Sequence, residues 1–191
     1  MTERSLRCIK AANAGVMTGA GTNTYLLAGG TIVIDPGPID PAHTEHLVRL
    51  AAGNLNWILV THTHRDHSPG ALLLAQETGA TLVGLRAPVG ENQDQLFEPD
   101  WAPMHDEMLE LGDYVLQAIH TPGHASNHLC YLDVQRGILF SGDHINQGTT
   151  VVIAPPDGSM QQYLDSLELL RHYPIRAIAP GHGSMIKEPA R

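Results

Sequence analysis

Cations are scarce in this chain. Its 191 residues carry 11 lysines and arginines against 20 aspartates and glutamates, a formal net charge of −9. A broad surface for nucleic acid or an anionic membrane draws on clustered Lys and Arg, so neither is favoured. Cysteine is nearly absent: Cys8 and Cys130, far apart, make no disulfide framework. Long apolar runs are missing too. Stretches such as residues 57–60 and 71–75 fall well short of the roughly 20 residues that a membrane helix needs. The opening Met1-Thr2-Glu3-Arg4 leads into no apolar stretch, so a secretory leader is not expected. There is no repeat or low-complexity tract, no Ser-His-Asp constellation and no glycine loop built to cradle phosphate. A soluble cytoplasmic protein of one domain, residues 1–191, is the expectation, and its 42% apolar content is ordinary for a globular chain.

What is plentiful is turn formers and histidine. The 19 glycines and 13 prolines point to many turns, and the 12 histidines are dispersed, several beside Asp or Gly. Residues 24–28 and 31–34 read as two short strands joined by Gly29-Gly30, a hairpin signal. Asp40 followed by Pro41 reads as a helix cap with proline at the first position, the helix running through Leu47 and Leu50. Residues 57–60 read as a buried strand. Ser68-Pro69 repeats the cap signal before a helix to Thr78, and residues 81–83 form another strand. Residues 85–104, with Pro88, Pro99 and Pro103, read as an irregular surface insertion. Strands are expected at 108–111, 114–120, 128–133, 137–140 and 176–179. A helix with apolar positions Tyr163, Leu164, Leu167 and Leu170 precedes the last of them. The order suggests sheets inside and helices outside.

The chemistry is concentrated in Thr61-His62-Thr63-His64-Arg65-Asp66-His67, which follows a buried strand and precedes a helix. In extended backbone, residues two apart point the same way, so His62 and His64 can grip one ion. Asp66 and His67 fall where the chain turns and can aim at a neighbouring position. Three more strand ends present a ligand type on a turn: His124 after Pro122-Gly123, Asp143 after Gly142, and His182 between Gly181 and Gly183. Asp35 ends a strand before Pro36; it orients a ligand or simply forms the turn. His144 either supports the centre and shuttles protons or bonds a backbone carbonyl. His128 reads as a satisfied core histidine, Cys130 as buried in a strand, and His43, His46 and His172 as solvated helix residues. Specificity is expected in residues 85–104 and 145–159, with Trp101, Phe97 and Tyr25 offering apolar surface to a substrate or packing in the core.

The series His-x-His-x-Asp-His, Gly-His, Gly-Asp and Pro-Gly-His resembles that of the metallo-β-lactamase superfamily, from Thr22 to Gly183. The resemblance implies an α/β fold, a four-layer αββα sandwich with two metal ions at one edge of the sheets. It implies His62, His64 and His124 as ligands of the first ion, Asp66, His67 and His182 as ligands of the second, and Asp143 as the bridge. Asp66 and Asp143 are the implied catalytic carboxylates. Imidazole and carboxylate suit zinc first, and manganese or iron also fit. Two such ions share a water, lower its pKa toward neutrality, and leave the centre at about +1. The reaction implied is hydrolysis of an ester, thioester or phosphodiester by that deprotonated water.

β-Lactamases of this superfamily usually place a cysteine where Asp66 and His67 stand. Hydroxyacylglutathione hydrolases share the ligand set, but their Gly-Asp is commonly followed by an Arg-Thr-Asp signature. Here the text is Gly142-Asp143-His144-Ile145-Asn146-Gln147-Gly148-Thr149-Thr150. Gly21-Thr22-Asn23-Thr24-Tyr25-Leu26-Leu27, Gly-Asp-His and Ala154-Pro155-Pro156-Asp157-Gly158 are more similar to the lactamase-β-like hydrolases, whose characterised animal members cut single-stranded RNA. The expected partner is a small molecule or short phosphodiester, with single-stranded RNA as a further candidate and no membrane. A hydroxyacylglutathione-type thioesterase is the alternative. A non-hydrolytic di-iron redox domain is the alternative of another class; flavodiiron relatives favour a carboxylate in place of a motif histidine, and this chain keeps the histidine.

Overall fold

The computed structural model of the chain describes residues 5–90 and 92–189. Among them are two sheets. The first holds β1 (Leu6–Lys10), β2 (Asn23–Leu27), β3 (Ile32–Ile34), β4 (Trp57–Leu59) and β5 (Thr81–Val83), side by side in chain order. β2 and β3 are the expected hairpin, reversed by a 3-10 turn at Ala28–Gly30 with Gly29 at φ 66°. β3, β4 and β5 run parallel. Parallel neighbours need crossovers, and these are the helices α1 (Pro41–Ala51) and α2 (Gly70–Thr78).

The second sheet holds β6 (Met108–Leu111), β7 (Tyr114–His120), β8 (Leu129–Asp133), β9 (Ile138–Gly142), β10 (Ala177–Pro180) and β11 (Ile186–Lys187). Its one parallel pair, β9 with β10, is crossed by α3 (Met160–Leu170). The inner faces of the sheets meet through Leu27, Ile34 and Leu59 on one side and Leu109, Leu116, Tyr131 and Phe140 on the other. Outside the first sheet, Val33 and Ile58 pack beneath Leu47 of α1 and Leu74 of α2. Outside the second, Leu132, Leu139 and Ile178 pack beneath Leu170 of α3. The result is the four-layer αββα sandwich. Each fully buried Leu or Ile contributes about 1.5–3 kcal/mol, so both faces of both sheets are held. No helix among the described residues is long and apolar enough to cross a membrane.

Several local expectations change. Asp40 does cap α1, its Oδ1 accepting from the N–H of Ala42 at 2.9 Å. Ser68 does not cap α2; its hydroxyl donates instead to Asp94 at 2.7 Å, tying the helix entry to residues 85–104. Leu164 of α3 is exposed. The buried face turns on Ser166, whose hydroxyl donates to the Pro122 carbonyl at 2.8 Å, with Leu170 one turn on. His43 is buried rather than solvated, because its ring points back to β2 and shares a hydrogen bond with Thr24 Oγ1 at 3.0 Å. His46 and His172 are exposed, as expected. Residues 85–104 are irregular but not merely superficial, since Phe97 is buried in the core between the first sheet and its helices.

Candidate metal centre

The ligand-type residues follow the C-terminal ends of β4, β7, β9 and β10, and the fold brings these ends to one edge. Backbone pairing stitches the two sheets there. Thr22 bridges His182, and the Asn23 N–H donates to the Gly181 carbonyl at 2.8 Å. Gly181 permits the approach: a Cβ at that position would lie 2.7 Å from Asp143 Oδ1 and 2.8 Å from His67 Cε1.

All seven residues named from the sequence converge. Ligand atoms of His62, His64 and His124 lie within 4.8 Å of one another, as do those of Asp66, His67 and His182, and those of His62, His67 and Asp143. Asp143 faces both groups. Its Oδ1 is 3.3 Å from His67 Nε2 and 3.2 Å from His182 Nε2, while Oδ2 is 3.5 Å from His124 Nε2. On the other side, Asp66 Oδ2 is 3.2 Å from His182 Nε2.

The donor set fits divalent metal. His62 Nε2 and His67 Nε2 are buried without a hydrogen bond. His64 Nδ1 and His124 Nε2 stand 2.9 Å apart, a separation at which two lone pairs need a proton or a cation between them. Imidazoles with two carboxylates suit zinc and its neighbours.

The far side of the His62, His67 and His124 rings is held as well, which fixes the nitrogen left to face inward. His67 Nδ1 lies 2.9 Å from Asp35 Oδ2, and Asp35 also accepts from the N–H and hydroxyl of Thr61, both at 2.8 Å. Asp35 thus does more than form the turn before Pro36, since it contacts the His67 ring. Its backbone sits at φ 50°, a conformation uncommon outside glycine, and a carboxylate with three partners helps to hold it there. His62 Nδ1 meets Thr61 Oγ1 at 3.0 Å, and His124 Nδ1 meets the Val152 carbonyl at 2.6 Å. Asn146 bonds Asp143 Oδ1 at 3.2 Å and accepts from the His182 N–H at 3.0 Å.

Protonation divides the centre. Burial, reinforced by the His67 and His64 rings, pushes His62 well below the ordinary histidine range, and burial with His124 brings His64 to about 4. Burial also opposes charge on His67 and His182. Asp66, Asp143 and Asp35 nevertheless raise His67 well above its usual value, and hydrogen bonds to Asp143 and Asp66 raise His182 to about 9. Burial would raise the two carboxyls, yet His67 and His182 hold Asp66 at about 2 and Asp143 well below its usual value. Without metal, His62 and His64 are neutral imidazoles, while His67 and His182 form a cluster of imidazolium with the Asp66 and Asp143 carboxylates.

The centre floors a cleft of about 370 Å³. As expected, its walls come from residues 85–104 and 145–159, through Val89 and Gln93 on one side and Val152, Pro155 and Asp157 on the other. Met17, on a loop closed by a Gly15–Gly19 bridge, adds a third wall that the sequence reading missed. Tyr25, Phe97 and Trp101 do not face the cleft. Tyr25 and Phe97 are buried, and Trp101 stacks edge-on against Trp57 at 6.1 Å, because the rings are drawn into the sandwich. His128 is a core residue but only half satisfied: Nδ1 meets Thr121 Oγ1 at 3.0 Å, and Nε2 has no hydrogen bond. His144 bonds neither the centre nor a backbone carbonyl. Its buried ring packs against Tyr163, with centroids 4.9 Å apart, and burial lowers it to about 4.

The supporting groups missed from the sequence were Thr61, Asn146 and the Val152 carbonyl. Thr61, beside the His motif, could have been suspected as a hydroxyl next to a ligand. A backbone carbonyl leaves no mark in a sequence.

The chain is 32% identical over 201 residues to the beta-lactamase-like protein 2 homolog of Drosophila melanogaster, covering 93% of this chain and 63% of that protein. It is 29% identical over 198 residues to an atrochrysone carboxyl ACP thioesterase of Aspergillus chevalieri, covering 100% of this chain and 60% of that one. It therefore spans about three fifths of the length of these curated relatives. The solved structure of TTHA1623 in a di-iron-bound form superposes with a TM-score of 0.72 at 23% identity, covering 94% of each chain. The profile of the metallo-beta-lactamase superfamily matches residues 17–182, a span that holds six of the seven converging residues between its ends and the seventh, His182, at its limit; the chain belongs to that superfamily.

Proposed function

We propose that this chain is a dinuclear metallohydrolase acting on an acyl ester or thioester. His62, His64 and His124 would hold one ion, Asp66, His67 and His182 would hold the other, and Asp143, which faces both groups, would serve both. Zinc is the metal this donor set suits first. The observation that carries the reading is the convergence of seven imidazole and carboxylate groups at the floor of a cleft with apolar walls.

Two bound divalent ions supply an acidified water and Lewis-acid polarisation of a carbonyl. The chain's own residues do the rest. Asp35 and Thr61 hold the His67 and His62 rings so that Nε2 faces the centre. Val152 does the same for His124, and Asn146 steadies Asp143. Met17, Val89, Val152 and Pro155 offer apolar surface to an acyl group. Among the described residues, Arg65 is the one Lys or Arg that lines the cleft, and the whole chain carries −9, which supports a small acyl substrate over a long polyanion. The relative named a thioesterase points the same way.

The test is a profile of metal-loaded protein on a thioester, a lactone, a short phosphodiester and single-stranded RNA. Acyl substrates are expected to be turned over with kcat/KM at least about tenfold above the phosphodiester, a difference worth about 1.4 kcal/mol in the barrier. Preference for long RNA, with affinity that falls steeply with salt, would move the function to ribonuclease.

A further inference from the structure

The two long walls of the cleft come from segments some 60 residues apart, and one path of hydrogen bonds joins them. Asp157 Oδ2 accepts from Gln93 Nε2 and from the backbone N–H of Ser126, both at 3.1 Å. Gln93 Oε1 accepts from the hydroxyl of Thr63 at 2.5 Å. Thr63 Oγ1 in turn accepts from Asn127 Nδ2 at 2.7 Å, and Asn127 also donates to the Arg86 carbonyl at 3.1 Å. The backbone follows the same route. Gln93 forms a bridge with His64, and the Asp94 N–H donates to the Thr63 carbonyl at 2.7 Å.

The path runs from one long wall of the cleft, past the His motif, to the other. Thr63 stands between His62 and His64, Ser126 stands two residues past His124, and Gln93 and Asp157 belong to opposite walls. Thr63, Gln93 and Asn127 are buried. A buried amide whose N–H loses its acceptor bears the desolvation cost of that group, so the Gln93 side chain is committed to Asp157. Nothing in the seven-residue centre requires this link; the cluster of ligand atoms closes without it.

We propose that Gln93 and Asp157 are positioning residues that clasp the two cleft walls together and so set the size of the acyl group the cleft accepts. The second half of this statement rests on the acyl-hydrolase reading above. The clasp itself is a property of the folded chain.

Two readouts test it. The first is hydrogen–deuterium exchange of metal-free protein. Asp157→Ala should speed exchange of amides in residues 85–104, although the substitution lies in the opposite wall. The second is steady-state kinetics of metal-loaded protein on acetyl and hexanoyl thioesters of N-acetylcysteamine. Asp157→Ala and Gln93→Ala should each change the ratio of KM between the two substrates by about fivefold, the scale of one hydrogen bond. The double variant should be no worse than the worse single one, because both remove the same link. Asp157→Asn should keep the wild-type ratio, since one amide oxygen can accept both N–H groups.

Wild-type exchange in residues 85–104 of Asp157→Ala would overturn the clasp. An unchanged KM ratio, or an Asp157→Asn variant as altered as Asp157→Ala, would overturn its role in selection. Should wild-type protein turn over neither thioester, the acyl reading fails, and the exchange experiment still decides the clasp.

Discussion

Asp143→Ala is expected to lower kcat/KM by about a thousandfold or more, the scale of several kcal/mol that a correctly placed metal centre contributes. The reason lies in position. Asp143 is the carboxylate within 3.5 Å of imidazoles in both ligand groups, through Oδ1 to His67 and His182 and through Oδ2 to His124. Removing it takes away the negative charge that faces imidazoles of both halves and, on the dinuclear proposal, the carboxylate that would join them. Cys130→Ala is the control. Cys130 is buried in β8, its Sγ 3.3 Å from Thr121 Oγ1, and burial pushes its thiol up to about 12, so it is an inert packing residue. That variant should keep activity within about threefold, because a modest packing loss leaves the site intact. Kinetics at saturating metal decide the matter. An Asp143→Ala enzyme with more than a tenth of wild-type kcat/KM would remove Asp143 from the bridge.

Metal-free protein is expected to be most stable near pH 6.5 and to lose stability on both sides. His64 and His144 have folded values of about 4, below the value of about 6.5 for an unfolded histidine. Between those limits the unfolded chain binds more protons, so the stability they contribute is present above pH 6.5 and lost as pH falls toward 4. Each such group steepens the fall by up to about 1.4 kcal/mol per pH unit. Asp66 at about 2, with Asp143 also lowered, contributes stability that disappears only below the ordinary carboxylate range. His182, at about 9, and His67, raised by its carboxylates, work in the opposite sense. Their contribution is complete below pH 6.5 and is lost as pH rises through 9. Metal takes the place of those protons, so the alkaline loss should vanish in loaded protein. Denaturant melts of both forms from pH 4 to 9 test this, and an alkaline limb that persists unchanged after loading would count against His67 and His182 as ligands.

How much of this was legible in the sequence depends on where each signal resides. The seven converging residues were readable because ligand chemistry belongs to side chains and their turns are marked by Gly and Pro, as at Pro122-Gly123 and Gly181. The αββα layers followed from apolar runs and from the resemblance that the His motif carries. Other features depend on tertiary context. β1 alternates weakly, and β11 is two residues long; both are edge strands that pairing alone defines. Leu164 matches the period of α3 and still faces solvent, because Ser166 and the close approach of Gly123 set the helix's rotation. His43 occupies a helix position that looks solvated until β2 is placed beneath it. The hold of Val152 on His124 and the link from Gln93 to Asp157 join segments distant in the chain, and single-sequence patterns do not register such pairs.

The central claim is that the seven groups together hold two ions, and metal stoichiometry tests it most directly. Protein reconstituted with zinc and freed of excess metal should contain about two ions per chain by elemental analysis, since the seven groups would supply two sets of three ligands and one shared carboxylate. A content of one ion or none at saturating zinc, in protein that is folded by circular dichroism, would contradict the dinuclear centre.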